Sequence, residues 1–428
     1  MSGEPSEVTT VLAAFFGFAC VALFFAVRTQ EERRFLLPLG ILAYTLKAIA
    51  VPIYYAVLVK EGFQGYAFFD SYNYHIDGVE IMGELSRGID YSSRAWRMVD
   101  PAYSIFTGIV YWITGPNTLV MRLLNCVFTS FTLLYVYRIG RMLIDDPRAA
   151  RWACYLVALL PYSIIITINH RKDPIVTLLA TFLILHMLRL IRFEKRWPVS
   201  VLLALVGLVA MSFFRSGFVL PFVGILFLCY LTATQSLLRG LLLAVPTLAA
   251  IIAVQILISD DASISLQAAS ERFQEKIATS ATLAGTGGLV RLARMTSIFE
   301  IYKLPLAAFL VVILPFPPTF TGSLPVVLLS WANLFNIAFL PAMLQGAWAI
   351  LTGGSWRRQG PLLVATGVFL VLIGAAHVGV VRYRETIFPV MLVLTGLGLT
   401  RGVNPLVYAG VYGGMIALGC VVYLSRFS

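Results

Sequence analysis

Residues 118–174 decide the fold, because they alternate long apolar runs with a short charged connection: TLVMRLLNCVFTSFTLLYVYRIGRMLIDDPRAARWACYLVALLPYSIIITINHRKDP. The two apolar runs, at about 118–139 and 150–168, are each close to the roughly 20 residues that a helix needs to cross a bilayer. The connection RIGRMLIDDPRAAR carries four arginines, a bias typical of cytoplasmic loops. The stretch therefore predicts two consecutive transmembrane helices, the second of which leads outward to the short loop NHRKDP.

The same alternation continues along the whole chain. Of its 428 residues, 59% are hydrophobic and only 12% are charged, and the mean hydropathy is +0.86. Since about a quarter of the residues of a soluble globular protein are charged, that class is excluded. No long polar interval separates the apolar runs between Val11 and Leu424. We therefore predict an all-α polytopic membrane protein, with one integral membrane domain over residues 1–428 and about 12 transmembrane helices.

The charge distribution indicates a topology. Lysine and arginine outnumber acidic residues by 32 to 21, but they lie in short loops between apolar runs, so the positive-inside rule explains them and we expect no nucleic-acid partner. Glu4 and Glu7 precede the first apolar run, Val11–Val27, and RTQEERR follows it. Both termini are therefore predicted to lie on the external side of the membrane. The acidic start of the chain does not resemble a secretory signal, so the first run is expected to remain as a span.

Two longer polar stretches are predicted to be external. The first, 60–101, contains seven acidic residues against four basic ones besides a histidine. The second, 259–303, has helical periodicity at 266–277 and 289–299, which predicts amphipathic helices at the membrane interface. Within 304–351 the charge rule requires an odd number of crossings, yet two apolar runs are present. One of these two runs is therefore predicted to be re-entrant.

Other classes of site have no support in the sequence. The five cysteines are scattered in or beside apolar runs without a CxxC pair or metal-type spacing, so we assign them to packing. No glycine-rich phosphate loop is present, which argues against a nucleotide-driven machine.

The first external loop contains the leading candidate for catalysis. Its segment FFDSYNYHIDGVEIMGELSRG, residues 68–88, is predicted to become helical near Tyr74, with Asp70 just before the helix and beside the end of a span. A carboxylate in that position can act as a general base or bind a cation, and the alternative is a helix cap or a solvated acid. Tyr74, His75 and Asp77 are further candidates for catalysis or substrate orientation. His75 beside two aspartates leaves a divalent cation open as a cofactor.

The remaining acids of this segment follow a helical spacing. Asp77, Glu80 and Glu84 recur at intervals of three and four residues, as the solvated face of a helix does. They are therefore expected to contribute less than Asp70.

Five cations from three separate external loops form a second candidate site. They are Arg171, Lys172, Arg215, Arg382 and Arg384. Their external position runs against the positive-inside rule, and guanidinium groups at a membrane boundary suit a lipid phosphate or pyrophosphate. The alternatives are local salt bridges, between Lys172 and Asp173 or between Arg384 and Glu385, and snorkelling to lipid head groups.

The order of these segments resembles a known superfamily. A DxxxYH loop follows an early span, and after it come AYSIFTGIVYWITGPNTLVMRLLN, LYVYRIGRMLI, PYSIIITINHRKDPIVTLLATFLILHMLR and RYRETIFPVMLVLTGLGL. Over about Leu36–Leu231 and Pro361–Thr400, this order is similar to that of the GT-C superfamily of membrane glycosyltransferases, which use polyprenyl-phosphate-linked sugars and include bacterial envelope polysaccharide enzymes.

The resemblance implies a catalytic acid in the first external loop, which corresponds to Asp70, and external basic residues that bind the lipid phosphate. Many members carry two acids together in that loop, whereas here Asp70 is followed by Ser71 and Tyr72 and the next acid is Asp77. This departure weakens a metal-assisted mechanism and leaves a base-only mechanism.

The expected function is transfer of a sugar or saccharide unit from a polyprenyl-phosphate or diphosphate donor to a glycan or lipid-linked acceptor. It would take place on the outer face of the bacterial cytoplasmic membrane, in cell-envelope polysaccharide synthesis, as single-sugar transfer or as polymerisation of repeat units. The alternative is a lipid-linked glycan flippase or transporter, in which charges inside spans would line a path. Lys47 and His186 are the candidates for such charges.

Overall fold

The computed structural model describes residues 6–88, 101–191, 197–234, 293, 298–315, 323–354, 356–377, 381–402 and 404–424. Within these ranges, all regular secondary structure is helical and no strand occurs. The predicted all-α architecture is therefore confirmed.

The described residues form sixteen α-helices. In chain order they are α1 Glu7–Ala26, α2 Gln30–Lys60, α3 Phe69–Ser86, α4 Ala102–Thr114, α5 Thr118–Leu143, α6 Pro147–Leu159, α7 Pro161–Thr167, α8 Asp173–Ile191, α9 Trp197–Arg215, α10 Val219–Thr234, α11 Leu304–Ile313, α12 Leu324–Ala338, α13 Leu340–Thr352, α14 Trp356–His377, α15 Phe388–Arg401 and α16 Pro405–Leu424. Short 3₁₀ helices lie at Ser216–Phe218, Ile298–Lys303 and Val381–Thr386.

Several of these helices are long and apolar enough to cross a membrane. In the part of the chain that the structure describes there are five such helices, or seven if the bent pairs α6–α7 and α12–α13 each count as one span. Shorter apolar helices, such as α4, α11 and α15, accompany them. A polytopic membrane protein is confirmed by this content, while the number of about twelve crossings and the external termini stay predictions.

Local sequence explains where the helices begin and break. Asn117 precedes α5, and its side chain accepts a 3.0 Å hydrogen bond from the Leu119 backbone N–H, which caps the helix. Asp146 caps α6 in the same way, with Pro147 at the first helical position. Pro161 cannot continue a helix, and here α6 ends and α7 departs at 52°.

The predicted spans agree closely with these helices. The FRSG turn joins α9 to α10 as predicted, and the two apolar runs at 304–351 become α11 and the pair α12–α13, which bends by 41°. A bend of this size fits a broken span or a re-entrant segment. The predicted interface helices at 266–277 and 289–299 lie outside the described residues, apart from Ala293 and the last two positions of the second.

One prediction about the first loop is wrong. Asp70 does not precede the helix, because α3 begins at Phe69 and includes Asp70 in its first turn. A carboxylate there is favoured by the unsatisfied N–H groups and positive dipole of the helix start.

Candidate active site

Helix α3 packs tightly on α4. Gly78 of α3 lies against Thr107 and Tyr111 of α4, and Gly108 of α4 lies against Ile81 of α3, so neither glycine leaves room for a side chain. The absence of Cβ atoms at these two positions allows the helices to approach closely. This packing fixes the position of the helix that carries Asp70.

Two polar contacts add to this packing. The Ser104 hydroxyl donates a 2.9 Å hydrogen bond to the Asp77 carboxylate, and His75 Nδ1 lies 3.0 Å from the Tyr111 hydroxyl. Burial lowers the pKa of His75, which favours the neutral imidazole. Asp77 is therefore not simply part of a solvated helix face, because its hydrogen bond connects α3 to α4. Glu80 is exposed, as predicted.

The short loop between α7 and α8 is buried although it is strongly polar. Asn169 and His170 have no exposed surface, and Arg171 is 4% exposed. Asn125 of α5 holds the loop, because its amide donates to the carbonyl oxygens of Asn169 at 2.8 Å and Arg171 at 3.0 Å. The loop is thus a fixed part of the helix bundle.

Arg171 and Arg215 meet at one carboxylate. Each guanidinium contacts an oxygen of Asp173, at 2.9 Å from Arg171 and 3.0 Å from Arg215, and all three side chains are buried. The Arg215 guanidinium also lies 5.0 Å from the centre of the Tyr383 ring, which brings the 3₁₀ helix Val381–Thr386 to the same place. We call Arg171, Asp173 and Arg215 the arginine cluster.

Helix α3 faces this cluster through aromatic side chains. The ring of Phe68, the residue before α3, lies 4.8 Å from the Arg171 guanidinium. Tyr74 packs edge-on against Tyr103 at 4.8 Å, and it lies within electrostatic range of Arg171 and Arg215. Burial raises the pKa of Tyr74, so its hydroxyl stays protonated and can donate a hydrogen bond.

Asp70 lies on the side of α3 that leads to the arginine cluster. It is half-buried, two residues after Phe68 and one helical turn before Tyr74, so Asp70 and Tyr74 share a helix face. The structure therefore brings Tyr74, Arg171 and Arg215 into one region, and Asp70 lies one helical turn before Tyr74. Lys172, which is buried, adjoins this group and adds positive potential at Asp173.

Arg384 has a different environment. Its guanidinium is fully buried and donates to Asn333 Oδ1 at 2.9 Å and to the carbonyl oxygens at the end of α11, including those of Val311 and Leu314 at 3.2 Å. These are the carbonyl groups that a helix end leaves unsatisfied. Arg382 belongs to the same 3₁₀ helix, but its side chain lies outside the described part of the structure.

Several residues of the region were not among the predicted site residues. Asp173 was considered only as a partner for Lys172, and Asn125, His170 and Arg122 were not singled out. Arg122 is fully buried in α5 and donates to the carbonyl oxygen of Gly65. Its charge inside an apolar run was the available signal, because such residues are costly in a membrane.

Side chains of the types that bind metal ions do not cluster in the described part of this region. Among the described residues, no three histidine, cysteine, aspartate or glutamate side chains lie together as a metal site would require. His75 contacts Tyr111, and the pKa of His170 is lowered well below its ordinary value by burial and by the nearby charge of Arg122. We therefore derive no step through a metal ion.

Comparison with known proteins identifies the class of the chain. Residues 99–259 match the sequence model of the dolichyl-phosphate-mannose-protein mannosyltransferase family, a segment that contains α4 to α10 and the whole arginine cluster. No curated protein matches the chain. The matched family consists of glycosyltransferases of the GT-C superfamily that use a lipid-linked sugar donor, which confirms the predicted resemblance and enzyme class. The chain therefore has the enzyme class of a membrane glycosyltransferase, and its similarity to this GT-C family covers residues 99–259.

Proposed function

We propose that the protein transfers a sugar or saccharide unit from a polyprenyl phosphate or diphosphate to a glycan or lipid-linked acceptor. The reaction takes place on the external face of the bacterial cytoplasmic membrane and serves the synthesis of a cell-envelope polysaccharide. The observation that carries this proposal is the contact between α3 and the arginine cluster, in which Phe68 lies against Arg171 and Asp70 follows two residues later.

The charge of this region supports a phosphate-bearing donor. Arg171, Lys172 and Arg215 are three buried cations near the buried carboxylate of Asp173. Arginine can bind the oxygens of a phosphate with two parallel hydrogen bonds, so this group of cations suits a phosphate-bearing donor.

Asp70 provides the complementary chemistry. The acceptor hydroxyl gives its proton to the Asp70 carboxylate while its oxygen attacks the anomeric carbon of the donor sugar. The bond between that carbon and the phosphate oxygen breaks, and its electron pair stays on the phosphate. The leaving phosphate gains negative charge in the transition state, where the arginine side chains stabilise it. If the displacement is a single step, the product has the inverted configuration.

The decisive experiment compares Asp70→Asn with Glu80→Gln in purified protein reconstituted with a polyprenyl-phosphate sugar donor. Asp70→Asn preserves size and hydrogen bonding but removes proton acceptance, so transfer should fall by about 100-fold or more. Glu80→Gln changes an exposed acid of the same helix and should retain transfer within about twofold, since it loses no general base. Donor binding, measured with the labelled lipid, should persist in both variants.

Two results would contradict the assignment. Normal transfer by Asp70→Asn together with loss of transfer in Asp77→Asn would move the base to Asp77. Movement of labelled lipid across the bilayer without transfer, in the wild-type protein, would favour the alternative of a flippase.

A further inference from the structure

A polar cavity opens at the end of the helix bundle opposite the arginine cluster. Its volume is about 1010 Å³, at the upper end of the range of roughly 300–1,000 Å³ for small-molecule sites. Its walls come from the turn between α1 and α2, the last turns of α5 and α8, and the first turn of α9. None of the residues of the candidate active site lines it.

Helix geometry gives the separation between the two regions. Arg122 and Arg138 lie sixteen residues apart on α5, which corresponds to about 24 Å at 1.5 Å per residue. Asp173 and Arg189 have the same separation on α8. Since the hydrocarbon core of a bilayer is about 30 Å thick, the cavity lies near the opposite membrane face from Asp173.

The lining of the cavity is positively charged. Four arginines and two glutamates line it, namely Arg28, Arg138, Arg141, Arg189, Glu31 and Glu32. Glu32 accepts two hydrogen bonds from the Arg138 guanidinium, at 2.7 and 2.9 Å, and Glu31 lies 3.5 Å from Arg141. Both carboxylates are therefore engaged by arginines of α5, and the described lining keeps an excess of two positive charges.

The cavity also contains buried polar atoms without protein partners. The His186 side chain is 4% exposed, and its Nδ1 has no hydrogen-bond partner among the described residues. The same holds for Nε of Arg28, whose guanidinium stacks on Phe24 at 4.5 Å. A buried polar atom without a partner costs free energy, and a bound ligand would remove that cost.

The positive-inside rule does not account for this arrangement. That rule explains why cations occur in cytoplasmic loops, where water and lipid head groups surround them. Here arginines from α5, from α8 and from the turn between α1 and α2 surround a common cavity, together with the buried imidazole of His186. These side chains meet only because the helices pack together, so the charge bias of a single loop does not explain the cavity.

We propose that this cavity binds a phosphate group at the membrane face opposite the glycosyl-transfer site. Guanidinium groups suit phosphate because their N–H donors match its oxygens in pairs. The amino-terminal turn of α9, with Ser200 at the wall, adds the positive end of a helix dipole. The phosphate belongs either to the head group of an anionic lipid or to a soluble phosphate ester that enters from the aqueous side.

The experiment measures thermal unfolding of the protein in the presence of two phosphate-containing ligands, which serve as probes. Inorganic pyrophosphate is titrated onto protein in nanodiscs of phosphatidylcholine, and in the second arm phosphatidylglycerol is added to the nanodiscs. The variants are Arg28→Gln and Arg189→Gln. Arg34→Gln is the matched control, because Arg34 is an exposed cation near the start of α2 that does not line the cavity. Unfolding without added ligand checks that each variant folds.

The wild-type protein and Arg34→Gln should be stabilised by at least one probe in a saturable way. The two cavity variants should require about tenfold more of that probe for the same effect, since each loses a charge-assisted contact. Stabilisation by phosphatidylglycerol alone would identify a lipid head group, and stabilisation by pyrophosphate alone a soluble ligand. The proposal is overturned if neither probe stabilises the wild type, or if the control loses as much affinity as the cavity variants.

Discussion

The guanidinium of Arg215, at the end of α9, donates a 3.0 Å hydrogen bond to the carboxylate of Asp173, at the start of α8. Arg171 contacts the other oxygen of the same carboxylate at 2.9 Å. One buried carboxylate therefore binds two buried guanidinium groups. Asp173 thus holds the two guanidinium groups in place, Arg171 beside the ring of Phe68 and Arg215 beside the ring of Tyr383.

Asp173→Asn should strongly destabilise the protein. The substitution leaves two buried arginines without their carboxylate, and breaking a buried ion pair in this way costs about 3–5 kcal/mol. Asp145→Asn is the matched control, because Asp145 pairs with Arg358 but its side chain is 81% exposed, and exposed pairs contribute about 0–1 kcal/mol. Thermal unfolding in one detergent would compare them, and equal losses would contradict the structural role of Asp173.

Arg384→Lys tests whether Arg384 acts in folding or in donor binding. The guanidinium reaches Asn333 and several carbonyl oxygens at the end of α11, and a lysine ammonium cannot contact this whole set of acceptors. We expect a lower unfolding temperature, because buried acceptors that lose their partner cost about 1–3 kcal/mol each.

Donor binding provides the second measurement on the same variant. An unchanged unfolding temperature with weaker binding of the polyprenyl-phosphate donor would support the prediction that Arg384 binds phosphate. Arg215→Lys should show that second pattern, since Arg215 belongs to the cluster facing α3.

The sequence predicted the helices well and the site only in part. Long apolar runs and arginine-rich loops have local signatures, so helices such as α5 and α9 could be located from hydropathy and charge alone. The convergence of Arg171 and Arg215 on Asp173 depends on how α8 packs on α9, and no local pattern contains that information. The sequence predicted the start of α3 too late, near Tyr74, because no capping residue marks the true start at Phe69. Phe68, the residue before the helix, makes no side-chain cap.

Glu385 should make stability depend on pH. Its side chain is 5% exposed, and burial raises the pKa of its carboxyl to about 8, although the nearby charge of Arg384 acts in the opposite direction. The unfolded chain releases this proton near the ordinary value of 4.5, so the folded state binds more protons between these two values. Stability should therefore decrease as the pH rises from about 5 to about 8 and then level off.

Glu385→Gln removes the titrating group while it keeps the shape of the side chain. The variant should lose this part of the pH dependence and should exceed the wild type in stability more at about pH 8 than at about pH 5. Thermal unfolding across that range is the measurement. Parallel pH curves for the two proteins would show that the Glu385 proton does not contribute.

Two glycines of α3 allow a direct test of how the helix is docked. A Cβ added at Gly78 would lie 2.5 Å from Cγ2 of Thr107, whereas at Gly83 the nearest described atom would be an Arg87 nitrogen at 3.8 Å. Gly78→Ala should therefore cost about 1–3 kcal/mol through overpacking. Gly83→Ala should be neutral or should stabilise α3 by up to about 1 kcal/mol, because alanine favours a helix interior.

Gly78→Ala and Gly83→Ala should differ in glycosyl transfer as they differ in stability. Displacement of α3 from α4 moves Asp70 relative to the arginine cluster, and a small misplacement of a catalytic group can cost about 100-fold in rate. Gly78→Ala should thus lose transfer even under conditions where it stays folded, while Gly83→Ala should keep it. Full transfer by folded Gly78→Ala would contradict this prediction. It would mean that the packing of α3 on α4 does not control the position of Asp70.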